Sequence, residues 1–287
     1  MATEQILKVV GLRKDYPGFS LRDVNFSLTK GRIMGFIGRN GAGKTTTIKI
    51  IYGMTSASAG EVFFDGERIT PEDFKAKSDI GLLFGGVDYY PNLKAKTMAE
   101  VTRRFFPKWD QALFDRWIAY FGIDLTKKVK ELSNGMRVKF NLAIALSHGA
   151  KLLILDEPTS GLDPVSRDEL LDCFRKIADK YGTAILFSTH VISDLEKIAD
   201  DITYIQNGAI LASTSVEEFS QSYLHVEGAA ESQMPRNALH IRKRGDHFEG
   251  VVPAGDEKKE GLTYSEAHLE EIMLAIERGE ENEESPI

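Results

Sequence analysis

The chain has a single cysteine, Cys173, among 287 residues, so no internal disulfide can form and a reducing compartment is expected. No apolar run approaches the roughly 18 residues that a membrane-spanning helix needs. The start, MATEQILKVVGLRKDY, lacks the basic-then-apolar pattern of a secretory signal. Positive charge is not in excess: 36 Lys and Arg face 43 Asp and Glu, a formal net charge of −7. That balance argues against general affinity for nucleic acid or anionic lipid. Six histidines and the cysteine are scattered without metal-ligand spacing, which disfavours a structural zinc site. A nucleophile elbow, a Cys–His arrangement, internal repeats and sustained heptads are also missing. What remains is ordinary soluble globular composition, 42% hydrophobic and 28% charged, long enough for one large domain or two small ones. These features predict a cytosolic protein that does not itself cross a membrane.

Strand-like and helix-like segments alternate through about residue 210. Ile6–Val10, Val24–Leu28, Arg32–Ile37, Glu61–Phe64 and Ile80–Leu83 read as strands, and Thr45–Tyr52 as a helix. From Thr97 to Phe121 the pattern turns helical, with Phe105, Trp109, Leu113, Trp117 and Phe121 as an expected core stripe. Met136–Ser147 and Pro164–Lys180 read as helices, the latter with proline in its first turn. Leu152–Leu155 and Thr183–Phe187 are apolar runs suited to parallel strands buried on both faces. After Asn207 come short β-like pieces (Ala209–Ala212, Ala238–Arg242, Phe248–Val252) and a final helix over Ser265–Arg278. That helix carries Leu269, Ile272, Met273 and Ile276 on one face. The basic run Arg242-Lys243-Arg244, with Arg236 nearby, is expected in a solvated loop.

The sharpest signal is Gly38-Arg39-Asn40-Gly41-Ala42-Gly43-Lys44-Thr45, a G-x-x-x-x-G-K-[ST] loop after a strand and opening a helix. Its glycines let successive N–H groups of Gly38, Asn40, Gly41, Ala42 and Gly43 curl inward onto phosphate oxygens. The helix N-terminus adds its dipole. Lys44 is placed to reach β- and γ-phosphates, Thr45 to ligate Mg²⁺, and Thr46 to meet the α-phosphate.

The strand Leu152–Leu155 ends in Asp156 and Glu157. Adjacent strand residues point to opposite faces, so the two acids should differ in duty. Asp156 suits the Mg²⁺ shell, and Glu157 suits orienting or deprotonating an attacking water.

With the phosphate loop, LSNGM at 132–136, LLILDEPTSGLDP at 152–164 and STH at 188–190 in this order, residues 5–215 resemble the ATP-binding subunit of an ABC transporter. The resemblance implies an α/β P-loop NTPase with a mainly parallel core sheet, an antiparallel β subdomain and an α-helical insertion at about 95–150. A small C-terminal extension, 216–287, follows. It implies ATP and Mg²⁺ as ligands, and Ser133 and Gly135 contacting the γ-phosphate of ATP held by the other protomer. It further implies Asp163 as the principal acid of an interface loop, His190 as the switch histidine that steadies the catalytic water, and Tyr16 as the aromatic stacked on adenine. The implied partners are transmembrane permease subunits and a second nucleotide-binding subunit, identical or related, with no nucleic acid. The implied location is the cytoplasmic face of the cell membrane. Phe105-Phe106-Pro107-Lys108-Trp109-Asp110, LSNGM and Leu269–Met273 point within the family to exporter-type cassettes with separate membrane subunits.

Two departures stand out. Gly85 occupies the position where the family usually carries a glutamine, leaving water, a backbone carbonyl or Asp88 as substitutes. LSNGM replaces LSGGQ, with Asn134 and Met136 in place of glycine and glutamine. Two other readings are a soluble ABC-type ATPase acting on ribosomes or DNA, and an ATP-binding regulatory subunit with little turnover. One cassette, about 90 residues between Lys44 and Ser133 and no long coiled coil weigh against the first; Gly85 keeps the second open. Residues 254–287 hold eleven acids and three bases, a net of −8, so the rest of the chain is close to neutral at +1.

Overall fold

The computed structural model describes residues 4–84, 90–229, 232, 235 and 237–279. The chain divides into two compact units, Met1–Ser213 and Thr214–Ile287.

In the first unit, β1 (Gln5–Tyr16) and β2 (Phe19–Thr29) form an antiparallel hairpin, longer at both ends than the sequence pattern predicts. β3 (Ile33–Ile37) leads through the glycine-rich loop into α1 (Lys44–Ile51). β4 (Ala59–Phe64) and β5 (Glu67–Ile69) join the hairpin in a four-stranded sheet ordered β2-β1-β4-β5. A single turn, α2 (Phe74–Lys77), precedes β6 (Ile80–Phe84). The helical segment comprises α3 (Ala95–Thr102), α4 (Gln111–Phe121) and α5 (Asn134–Ser147). Next come β7 (Leu152–Asp156), α6 (Pro164–Tyr181), β8 (Ala184–Thr189), α7 (Ile192–Ile198), β9 (Asp201–Gln206) and β10 (Ala209–Ser215).

These strands build a six-stranded sheet ordered β10-β9-β3-β8-β7-β6, in which the β9–β3, β3–β8, β8–β7 and β7–β6 pairings are parallel. Every residue of β3, β7 and β8 is buried, which explains their unbroken apolar sequence. The register sets Ile37 beside Thr189 and Ser188 beside Asp156, so β3, β8 and β7 end level at their carboxyl edge. In open parallel sheets that edge is where ligands bind.

The expected single helical run over Thr97–Phe121 is corrected. Helix α3 ends in a 3₁₀ turn at Arg103–Phe105, and Phe106–Asp110 is not helical. Pro107 cannot donate the backbone hydrogen bond that helix continuation needs. Helix α4 then restarts with Asp110 Oδ1 accepting from Leu113 N at 2.9 Å. The break resets the helical phase. Phe114 and Ile118 are the fully buried anchors of α4, packed with Phe140, Ala143 and Ile144 of α5. Trp109, Trp117 and Phe121 pack partly buried against this cluster, whereas Phe105 is 75% exposed and is no core residue.

A chain of ion pairs crosses from the antiparallel sheet to the insertion. Asp65 meets Lys30 at 2.9 Å and Lys151 at 2.5 Å; Asp79 meets Lys151 at 3.4 Å and Lys108 at 2.7 Å. The Lys151 and Lys30 ammonium groups hold the Asp65 carboxyl below its usual range. Next to this network His148 stacks on Phe106, rings 4.0 Å apart at 11°. Burial pushes the His148 imidazole down to about 4.

In the second unit, α8 (Val216–Gln221) precedes β11 (Tyr223–Ala229), β12 (His240–Arg244), β13 (His247–Pro253) and β14 (Thr263–Glu266), which form an antiparallel sheet ordered β12-β13-β11-β14. The closing helix α9 (Leu269–Gly279) buries Leu269, Ile272, Met273 and Ala275. Ser265 and Glu266, expected to open that helix, instead pair with His225 and Leu224 in β14. Thr263-Tyr264-Ser265 has stronger strand than helix character, and the ladder decides it. The basic run is likewise strand and not loop: Arg242 lies in β12 opposite Glu249. Among the described residues no helix is long and apolar enough to cross a membrane.

Candidate functional site

The glycine-rich loop sits at the level carboxyl edge of the parallel sheet. Gly38 has φ 153° and Gly43 φ 117°, conformations that side chains rarely tolerate. A Cβ on Gly38 would lie 2.2 Å from the Ile205 carbonyl oxygen, and one on Gly43 would lie 2.5 Å from Leu21. The loop is braced from behind, with Gly208 N donating to Ala42 O at 3.0 Å. Gly41, Asn40 and Thr45 are exposed, Thr46 is half-buried and Ala42 is buried. At the start of α1 helix geometry leaves backbone N–H groups without intrahelical acceptors. Lys44 is 6% exposed, and its Nζ donates to Gly38 O at 2.6 Å and Arg39 O at 3.3 Å.

Asp156 and Glu157 have different partners. Asp156, buried, accepts from Thr45 Oγ1 at 2.8 Å through one carboxylate oxygen and from Ser188 Oγ at 2.5 Å through the other. Glu157 turns away because its backbone is left-handed, φ 52°. For a non-glycine residue that conformation is uncommon and must be held by its surroundings. Here Ser188 holds it: Glu157 N donates to Ser188 Oγ at 3.0 Å and to Ser188 O at 3.2 Å. The Glu157 carboxylate then lies 3.9 Å from Lys44 Nζ and 2.7 Å from His190 Nδ1. An ionised carboxylate can only accept, so this contact requires the imidazole proton on Nδ1. His190 follows β8 and is half exposed.

Tyr16 ends β1 opposite Phe19, whose ring stands 3.1 Å from where a Gly43 Cβ would be. The hairpin tip thus leans on the phosphate loop and leaves the Tyr16 ring 42% exposed, with Lys14 Nζ 5.5 Å from its centre.

Ser133, Gly135 and Asp163 form a second group. Ser133 caps α5, accepting from Met136 N at 3.3 Å. Asp163 caps α6, accepting from Val165 N at 3.1 Å and Ser166 N at 3.0 Å. Hydrogen bonding from Ser166 holds the Asp163 carboxyl below its usual range. The two caps are neighbours: a Cβ on Gly161 would lie 3.3 Å from Asn134 Nδ2, and one on Gly135 would lie 3.6 Å from Leu162. No hydrogen bond of Ser133 or Asp163 reaches the Lys44–Glu157 group. Gly85 and Asp88, where the family glutamine was sought, lie outside the described residues.

Sequence reasoning passed over two residues. Ser188 organises both acids, and its signal was a hydroxyl in an otherwise apolar buried strand, level with Asp156. Asp194, 1% exposed, accepts from Thr159 Oγ1 at 2.8 Å and from Arg167 Nε at 2.6 Å. It thereby ties the turn after Glu157 and helix α6 to the helix that follows His190. Its signal was an acid on the same helical stripe as Leu195 and Ile198.

The ABC transporter family model matches residues 21–160. The lantibiotic transport ATP-binding protein SrtF of Streptococcus pyogenes is 34% identical over 209 residues, covering 72% of this chain and 89% of SrtF. The chain belongs to the ABC transporter ATP-binding proteins. The uncharacterized ABC transporter ATP-binding protein YhcH of Bacillus subtilis (strain 168) is 33% identical over 252 residues, 85% of this chain and 83% of YhcH. A solved ATP-binding subunit of an ABC transporter superposes with TM-score 0.68 at 26% identity, covering 75% of this chain and 92% of that one. This ABC protein is thus a P-loop ATPase subunit that powers transport, with membrane subunits as partners. The ribosome- or DNA-acting reading is not favoured. The donor set fits the family's ligand: a backbone cradle closed to side chains, a buried lysine, and a hydroxyl and a carboxylate, the oxygen donors that Mg²⁺ takes.

Proposed function

We propose that this subunit binds Mg·ATP between its own phosphate loop and the Ser133–Asp163 face of a second nucleotide-binding subunit, identical or related. Hydrolysis then drives export through separate membrane subunits at the cytoplasmic face of the cell membrane. One observation carries the reading. Glu157 is held in a left-handed turn that aims its carboxylate at Lys44 on one side and His190 on the other, beside the phosphate loop.

In this reading the loop N–H groups and Lys44 bind the phosphates, and Tyr16 stacks on the adenine. Thr45 and Asp156 hold Mg²⁺, which when bound neutralises phosphate charge. Glu157 receives the proton of the attacking water, and His190 fixes the carboxylate that receives it. Positioning and electrostatics then supply most of the rate. Ser133, an exposed residue capping the N-terminus of α5, suits the γ-phosphate held by the partner. The exposed apolar side chains Tyr90, Leu93, Val101 and Phe105 suit a membrane subunit's docking helix. Export as the direction rests on the likeness to SrtF, a lantibiotic transport protein.

Glu157→Gln keeps the shape and removes the base. It should bind ATP, hydrolyse it at least about 100-fold more slowly and accumulate as an ATP-dependent dimer on a sizing column. A variant that stays monomeric at saturating ATP while demonstrably binding it counts against the sandwich.

A further inference from the structure

A cavity of about 520 Å³ opens between α4 and α6 and shares no residue with the nucleotide site. That volume is within the range of small-ligand pockets. Its walls are aromatic: Trp117 meets Tyr120 edge-on with centroids 5.7 Å apart and lies 6.1 Å from Tyr181. Leu113 and Cys173 complete the apolar lining. Burial pushes the Cys173 thiol up to about 11, so it stays neutral.

The polar part of the lining is one-sided. Arg116 and Lys176 make no hydrogen bond or ion pair among the described residues, and Lys180 lies over the Tyr181 ring at 5.6 Å. The acid of the lining, Asp179, is already engaged by Arg175 at 2.8 Å. Three cations thus line an aromatic cavity against one carboxylate, so the lining carries an excess of positive charge.

We propose that this cavity binds an amphipathic monoanion. An alkyl or aromatic body lies against Trp117, Leu113 and Tyr181, and an acidic head is held by Arg116, Lys176 and Lys180. A free fatty carboxylate and an anionic lipid in a bilayer share this chemistry.

The test uses the full chain carrying Trp109→Phe, which leaves Trp117 as the one emitting tryptophan. Dodecanoate below its micelle concentration is titrated against Trp117 emission, with dodecanol as the uncharged control. Co-sedimentation with phosphatidylglycerol and phosphatidylcholine vesicles forms the second arm. The expected result is saturable binding of dodecanoate about ten-fold tighter than dodecanol. The double variant Lys176→Glu/Lys180→Glu should weaken it by about ten-fold or more with ATP turnover retained. Binding to phosphatidylglycerol vesicles alone, lost in the double variant, also supports the site and assigns the ligand to a bilayer. Equal affinity for dodecanol, binding indifferent to the charge reversal, or no binding in either arm overturns the proposal. Should the double variant fail to fold, Arg116→Ala replaces it, with an expected loss of about three-fold; no loss overturns the proposal equally.

Discussion

Replacing Asp194 with alanine removes the acceptor that joins Thr159 and Arg167, and the structure gives the cost. Asp194 is almost wholly buried, and the Arg167 side chain is 25% exposed with its Nη2 already lacking a partner. Breaking a buried ion pair from one side costs about 3–5 kcal/mol because the remaining charge is stranded. The partial exposure of Arg167 lets water soften that penalty, which places Asp194→Ala near the lower end, about 3 kcal/mol. The opposite truncation, Arg167→Met, strands a carboxylate with 2% exposure and belongs nearer about 5 kcal/mol. Removing both charges, Asp194→Leu with Arg167→Met, should restore most of the loss, since a buried pair and an apolar pair of similar volume are often equivalent. Denaturant unfolding of the four proteins yields the coupling directly as a double-mutant cycle. For a unit of this size the alanine variant should melt lower by on the order of 10 °C. Single variants within about 0.5 kcal/mol of wild type, or a double variant no better than the worse single, would refute the argument that Asp194 is a buried charge held by Arg167.

Three further outcomes follow from local geometry. The His148 imidazole is depressed to about 4 by burial, so its contribution to stability is complete above its unfolded value near 6.5 and is lost as pH falls toward 4. Unfolding free energy should drop by roughly 3 kcal/mol over that window, and His148→Leu should flatten the slope in pH-resolved denaturation. Tyr16→Ala should weaken ATP about ten-fold through lost stacking while Tyr16→Phe stays within about two-fold, as measured by equilibrium binding of a fluorescent ATP analogue. Gly38→Ala should abolish that binding, because its Cβ would sit 2.2 Å from a backbone carbonyl, whereas Gly149→Ala, with open space around it, meets only the strain of its φ of +77° and costs about 1–2 kcal/mol of stability.

How much of this could be seen in the sequence depended on whether a residue's role was set locally or by its neighbours in space. Leu152–Leu155 and Ile185–Phe187 declare themselves because a strand buried on both faces has no polar positions. The phosphate loop is equally local, since its glycines and lysine act within eight consecutive residues. The aromatic stripe was right only in part: Trp109, Trp117 and Phe121 pack against the core, but periodicity assumes an unbroken helix, and with the chain broken at Pro107 the buried anchors of α4 are Phe114 and Ile118 and Phe105 is exposed. Ser265 failed for a different reason: strand pairing with His225, some forty residues away in sequence, overrode the helical pattern that follows it. Glu157 was named correctly as a residue but not as a conformation. Nothing in Asp-Glu-Pro demands a positive φ; Ser188 on the adjacent strand imposes it.

That imposed turn also bears on why one chain carries its chemistry in two separate groups. Parallel strands ending level put Asp156, Ser188 and the phosphate loop within hydrogen-bonding reach. Strand alternation alone would send the next side chain, Glu157, to the opposite face of the sheet. The left-handed backbone instead brings it to Lys44 and His190. Beyond it the chain runs through Thr159, anchored on buried Asp194, to Gly161 and Leu162, which pack beside Asn134 and Gly135. Glu157 and the Ser133–Asp163 face are thus joined by one short segment clamped at Asp194. This connection predicts that a displacement of Glu157 is felt at the face that the proposed partner would engage, and the reverse. Asp194→Asn separates this coupling from simple stability. It can still accept from Thr159 but loses its charge toward Arg167, so a variant that folds and binds ATP normally yet dimerises weakly with ATP would locate the clamp. Unchanged dimerisation together with unchanged turnover would show that the segment carries no coupling.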